Sequence, residues 1–264
     1  MSDYETILLD IDARGIATVT LNRPDKHNAM NAQMIRELDA VAAQLAGEET
    51  VRAVVLAGAG QSFCAGGDLN WMKAQAEQDR SGKIAEARAL AGMLAAWNAL
   101  PKPVVARVHG RAYGGGIGLI AVSDVAIAAE GLRFSLTETR LGLIPATIGP
   151  FVVSRMGAGF ARQVFFSGAT FDVDFGLRSG FLARACAPAD LDAAVEMECS
   201  AILKCAPGAV ADAKALCRTL ARQPEGDVLT MTAEALADRW ETSEAQDGIA
   251  AFFAREAPPW RDEF

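Results

Sequence analysis

Histidine and tyrosine are nearly missing from this chain, two of each in 264 residues. Neither His27 nor His109 joins a serine, histidine and aspartate set at diagnostic spacing, and no metal-ligand cluster is visible, so no metal is expected. Cysteine supplies no framework. The five thiols, Cys64, Cys186, Cys199, Cys205 and Cys217, are odd in number and contain no CxxC pair, which reads as buried thiols in a reducing compartment. No apolar run reaches the ~18 residues of a membrane helix, and residues 1–5 lack the basic region and apolar core of a leader. These absences predict a cytoplasmic protein with no membrane partner. Positive charge is also short: 25 Lys and Arg against 33 Asp and Glu leave a net charge of -8 with no basic run. An acidic surface repels phosphate backbones, so nucleic acid is not expected and a small molecule is.

What the chain has is apolar mass, 51% of its residues, enough for one sizeable core without covalent staples. Residues 7–12 and 16–21 read as strands of a hairpin around Ala13, Arg14 and Gly15. Asn31 can cap a helix in which Met34, Ile35, Leu38, Val41, Ala42 and Leu45 recur at helical spacing. A short wholly apolar run at 53–57 looks like a buried parallel strand, 104–108 and 124–129 read as further strands, and a helical period over 84–100 stops before Pro101. This alternation predicts an α/β core with its sites at strand ends. From Asp190 to Phe253 only helical periodicity remains, broken at Pro207-Gly208 and again at 224–226. Two regions follow: an α/β core over 1–187 and a helical region over 188–264.

Two glycine-bearing stretches carry the candidate chemistry. Ser62-Phe63-Cys64-Ala65-Gly66-Gly67-Asp68-Leu69 and Gly110-Arg111-Ala112-Tyr113-Gly114-Gly115-Gly116-Ile117-Gly118 each follow a strand and lead into a helix. Each can therefore aim backbone N–H groups at a developing negative charge. The amides expected to do so are those of Ala65 and Gly115, where glycines leave the backbone free to bend and unobstructed. A pair of such donors stabilises an enolate-like anion by on the order of 3 kcal/mol each.

With Leu21-Asn22-Arg23-Pro24-Asp25-Lys26-His27-Asn28-Ala29, Phe134-Ser135-Leu136-Thr137-Glu138, Gly142-Leu143-Ile144-Pro145 and Ala251-Phe252-Phe253, these stretches resemble the crotonase superfamily, the enoyl-CoA hydratases and isomerases. The resemblance covers nearly the whole chain. It implies a crotonase-like spiral of ββα turns, a C-terminal helical region that serves trimer assembly, and a homotrimer or homohexamer. It also implies that Ala65 and Gly115 hold a thioester oxygen, and that Asp25, Lys26 and His27, with Cys64 and Asp68, line a coenzyme A channel. Coenzyme A enters as part of the substrate, and no separate cofactor is expected.

Hydratases of this kind carry two glutamates. Glu138 stands at one position, as acid and base at the α-carbon; the other falls on Gly118, which can move no proton. The missing side chain at 118 suggests room for an acidic substrate, since two carboxylates ~4 Å apart repel by about 4 kcal/mol at an effective dielectric of 20. The runs at 68–72, 116–119 and 140–148 look most like bacterial methylglutaconyl-CoA hydratases. The expectation is reversible hydration of a branched, carboxylated 2-enoyl-CoA such as 3-methylglutaconyl-CoA, its distal carboxylate helping to hold water. Arg111, Tyr113 and Arg140 are candidates to bind that carboxylate. The alternatives are an isomerase using Glu138 alone and an acyl-CoA-binding protein without catalysis.

Overall fold

The computed structural model describes residues 4–221 and 227–260. The hairpin forms as expected: β1 (Ile7–Ile11) and β2 (Ile16–Leu21) pair antiparallel, Ile7 opposite Leu21. From β2 onward the main sheet is parallel. It takes up β3 (Ala53–Gly58), β4 (Val104–Val108), β6 (Val125–Ala129) and β9 (Arg184–Cys186) in that order. A second, three-stranded sheet is built of β5 (Ala112–Tyr113), β7 (Arg133–Ser135) and β8 (Phe171–Asp172).

Helix α1 (Ala32–Gly47) starts where Asn31 accepts a hydrogen bond from the Met34 amide at 2.9 Å, and it buries the six apolar residues read from its spacing together with Glu37. Helices α2 (Leu69–Glu77) and α3 (Arg80–Ala99) follow β3. Trp97, fully buried on α3, donates its indole N–H to the Leu38 carbonyl at 2.9 Å and so fixes α3 against α1. After β5 comes α4 (Gly115–Val122), whose residues from Gly116 onward are all buried. Beyond β7 lie α5 (Gly149–Ser167) and α6 (Val173–Arg178). Helix α5 is broken at Gly157, where φ is 74° and ψ is 155°, backbone that no helical spacing announces.

The chain then becomes helical, with α7 (Leu191–Leu203), α8 (Pro207–Ala221), α9 (Val228–Trp240) and α10 (Ser243–Ala254). The expected break at Pro207-Gly208 is a helix start: proline at the first helical turn sacrifices no hydrogen bond. The break expected at 224–226 lies outside the described residues. Arg52 ties this region back to the sheet by donating to the carbonyls of Leu203 and Cys205 at 3.2 and 2.9 Å.

Strands β3 and β4 are neighbours, so the loops leaving their carboxyl ends emerge side by side. Both glycine stretches sit on those loops, at the crevice where parallel sheets place ligands.

Candidate active site

The two loops are stitched to each other by backbone hydrogen bonds. Phe63 donates to His109, Cys64 to Arg111 and Tyr113 back to Cys64, at 2.8, 3.0 and 3.0 Å. A third segment joins from the other side, where Met30 donates to Gly66 at 2.7 Å and Asp68 to Met30 at 2.8 Å. In that bridge the 66 carbonyl and the 68 amide face Met30, so the Gly67 N–H faces the opposite way. Among the described residues it has no backbone partner.

This corrects one expectation. The Ala65 N–H donates to the His27 carbonyl at 2.9 Å, which spends the amide inside the loop packing. The free donor of the first motif is Gly67, two residues on. Gly115 opens α4, and the amides of a helix's first turn have no intrahelical acceptor. Gly66, at φ +98°, and Gly114, at φ +44°, make the bends that bring these segments together, and a side chain would strain either. Ala65, Gly67, Gly114 and Gly115 all line one cleft of about 350 Å³.

Glu138 lies on the same cleft. It opens a single turn of 3₁₀ helix, Glu138–Leu141, three residues beyond β7, and β7 is pinned to β5 at Tyr113 and Ser135. Beneath β7 the ring of Phe134 packs on Phe171 and Phe181, with centroids 5.3 and 5.5 Å away, which makes the platform stiff. A Cβ built on Gly114 would lie 3.8 Å from Glu138 Oε1. Its Oε2 is buried with no hydrogen-bond partner, and burial raises its pKa above the ordinary 4.5. Arg140 does not neutralise it, because that exposed side chain runs back over Gly168. A carboxyl group held partly out of water and without a counter-ion is suited to both giving and taking a proton.

Several expected residues serve the scaffold. Asp68 caps α2 through the Asn70 and Trp71 amides and pairs with Arg23 at 2.8 Å. Burial works to raise its pKa, yet the Arg23 guanidinium and those amides hold it below the usual carboxylate value. Cys64 is fully buried, its thiol pushed up to about 12 by desolvation. Gly118 is a second correction. It sits inside α4 off the cleft wall, and a Cβ there would meet Ile148 Cγ2 at 2.8 Å and Leu94 Cδ1 at 3.2 Å. The space expected to receive a substrate is filled by those side chains.

Asp25 and Lys26 are exposed on a 3₁₀ turn, and His27 Nδ1 lies 3.0 Å from Ser62 Oγ. What holds this turn is Asn28, a residue that sequence reasoning passed over. Fully buried at φ 56°, it donates to the Ala59 and Ser62 carbonyls and accepts from the Arg23 amide. Of the three candidates for a substrate carboxylate only Tyr113 reaches the cleft; Arg111 and Arg140 do not line it.

Trp71 and Met72 of α2 also line the cleft, as do Glu86, Ala87 and Leu90 of α3, which sequence reasoning missed, and the Trp71 indole N–H donates to Glu86 Oε2 at 3.2 Å. A larger apolar cleft of about 510 Å³ runs between α8, α9 and α10, but its charged side chains, Asp212, Arg239 and Glu244, are engaged with one another. Among the described residues no helix is long and apolar enough to cross a membrane, and no three metal-ligating side chains come together.

The description Enoyl-CoA hydratase/isomerase matches residues 12–263. A short-chain-enoyl-CoA hydratase of Clostridium acetobutylicum is 30% identical over 260 residues, covering 96% of each chain. Among solved structures, an enoyl-CoA hydratase from Shewanella pealeana superposes with a TM-score of 0.94 at 35% identity, over 98% of this chain and 97% of that one. Pseudomonas aeruginosa AtuE gives 0.93 at 39% identity, over 98% and 100%. With the family matched over almost the full length and the glycine loops meeting on one cleft beside Glu138, this chain belongs to the enoyl-CoA hydratase/isomerase family of the crotonase superfamily.

Proposed function

We propose that the protein adds water reversibly to a 2-enoyl-CoA thioester, with the Gly67 and Gly115 amides receiving the thioester oxygen and Glu138 exchanging the proton at the α-carbon. The observation that carries this reading is the unpaired, buried carboxyl oxygen of Glu138 beside Gly114 on a cleft lined by both free amides. As negative charge builds on the thioester oxygen, two fixed donors need no reorganisation to meet it. The exposed turn bearing Asp25, Lys26 and His27 takes the coenzyme A portion, reached from the cleft through the Ala65 to His27 hydrogen bond.

The acyl group we favour is uncharged. A carboxylated group such as 3-methylglutaconyl would meet Glu86 and Glu138 on a wall that, among the described residues, carries no Lys, Arg or His. Repulsion of about 4 kcal/mol for charges ~4 Å apart works against it. Comparing kcat/KM for crotonyl-CoA and 3-methylglutaconyl-CoA tests the preference, and a higher value for the latter reverses it. A single proton-carrying glutamate would also serve an isomerase. Loss of the conjugated enoyl-thioester absorbance from a 2-enoyl-CoA supports hydration, whereas its appearance from a 3-enoyl-CoA, with 2-enoyl-CoA left untouched, assigns isomerisation.

We further infer a homotrimer or homohexamer. Leu229, Phe252 and Phe253 are 82%, 77% and 79% exposed on α9 and α10, an apolar surface of the kind that subunit contacts cover. Light scattering on the purified protein tests this, and a monomer at micromolar concentration refutes it.

A further inference from the structure

The cleft is lined by two carboxylates, Glu138 and Glu86, and the neighbours of Glu86 on α3 explain how it comes to be there. Glu86, Leu90 and Leu94 follow at intervals of four, so they stack on one face of the helix. Leu94 fills the space beside Gly118, Leu90 lines the cleft, and Glu86 lines it one turn further out. Helix α3 thus brings a carboxylate to the cleft, whereas α4 carries none. Glu86 is also held in place: the Trp71 indole can only donate, and it binds Oε2 at 3.2 Å. Among the described residues Oε1 has no hydrogen-bond partner, so this cleft-lining side chain keeps a free acceptor.

We propose that Glu86 is the second catalytic carboxylate, holding the attacking water and taking its proton. The inference rests on the hydratase reading above. In the hydration direction the water oxygen bonds to C3 as one of its O–H bonds breaks and that proton passes to Glu86. The C2=C3 π pair moves onto C2 and the thioester oxygen, and C2 takes a proton from Glu138. When product leaves, Glu86 returns a proton to solvent and Glu138 recovers one, so the net change is addition of one water. Burial raises the Glu138 pKa and so favours the protonated form from which this step starts. An aqueous nucleophile held by the protein also removes the need for a substrate carboxylate to hold it.

The experiment separates water addition from chemistry at C2. In deuterated water, exchange of the α-proton of saturated butyryl-CoA needs the amide pair and Glu138 but adds no water. Glu86→Gln should lower kcat for crotonyl-CoA hydration about 100-fold, as loss of a general base does, with KM changed less than about threefold. Its butyryl-CoA exchange should fall by less than about threefold. Glu138→Gln should lose both reactions. Trp71→Phe, which keeps a ring but removes the N–H, should lower hydration by about fivefold through misplacement of Glu86. Glu86→Gln that still hydrates at the wild-type rate, or that loses exchange in parallel with hydration, overturns the assignment. Wild-type protein that exchanges butyryl-CoA yet hydrates no 2-enoyl-CoA overturns the hydratase reading itself, and the role of Glu86 with it.

Discussion

Replacing Gly116 with alanine tests how closely α4 must approach the Cys64 segment. The added Cβ would lie 2.5 Å from the Cys64 carbonyl oxygen and 2.9 Å from its Cβ, contacts that turning a side chain cannot relieve. Either α4 or the segment carrying Cys64 and Gly67 must move, and those two pieces bear the two free amides. Overpacking of this kind costs about 1–3 kcal/mol, and alanine returns at most about 1 kcal/mol through helix propensity. A net loss near 2 kcal/mol corresponds to a Tm lower by about 4–8 °C for a chain of this size. A displacement approaching ~1 Å between the donors should also lower kcat about 100-fold. Gly118→Ala is the control. Its Cβ would meet only the Ile148 and Leu94 side chains, which can turn aside, so about 1 kcal/mol and a few-fold change in kcat are expected. Thermal melts and initial rates on crotonyl-CoA measure both quantities. Gly116→Ala protein with wild-type Tm and kcat would refute the argument that this contact sets the spacing of the amides.

Glu138→Gln should be inactive and yet more stable at neutral pH. A carboxyl whose folded pKa is raised binds its proton more tightly in the native state, so native stability falls as pH rises from 4.5 through the folded value. The Tm advantage of the variant should therefore be absent at pH 4 and reach about 2–4 °C by pH 8, for a half-buried group costing about 1 kcal/mol. Asp68 behaves oppositely, since its depressed pKa contributes stability above the unfolded value that is lost as pH falls through the folded one. Asp68→Ala removes a helix cap and the Arg23 pair, so denaturant titration at pH 7 should show a loss of about 1–2 kcal/mol that disappears in acid. Cys64, with its thiol pushed up to about 12 and no exposed surface, should resist alkylation in the native protein and react in urea; mass spectrometry reads the difference.

The frame of the fold was legible because its signals are local. The Asn31 cap and the 3.6-residue spacing of Met34 to Leu45 define α1, and the strand read at 104–108 coincides with β4. The small sheet of β5, β7 and β8 escaped notice because strands of two or three residues carry no periodicity. At the site, Gly115 could be located from its place at a helix start, and Glu138 from the family resemblance of residues 134–138. Which amide of the first loop is free could not, because Ala65 is satisfied by His27, a residue 38 positions earlier whose carbonyl reaches it only through the fold. The role of Gly118 was misread for a similar reason: its neighbours Leu94 and Ile148 come from other elements. Glu86 looked like one of several polar residues on a helix with period 3.6, and only the approach of Trp71 sets it apart.

The two sides of the cleft are anchored very differently. Helix α4 is buried almost throughout, while α2 buries none of its residues and α3 buries only Met93, Leu94 and Trp97, at the end away from Glu86. The half that polarises the thioester is therefore bound into the global stability of the domain, and the half that surrounds the acyl chain opens at lower free energy. Apart from Glu86 and the Trp71 that holds it, exchange of residues along 69–90 can reshape substrate choice at small thermodynamic cost, without disturbing the electrostatics that make the carbonyl reactive. Selectivity in this protein can thus diversify on a different lineage of mutations from the catalytic power it depends on.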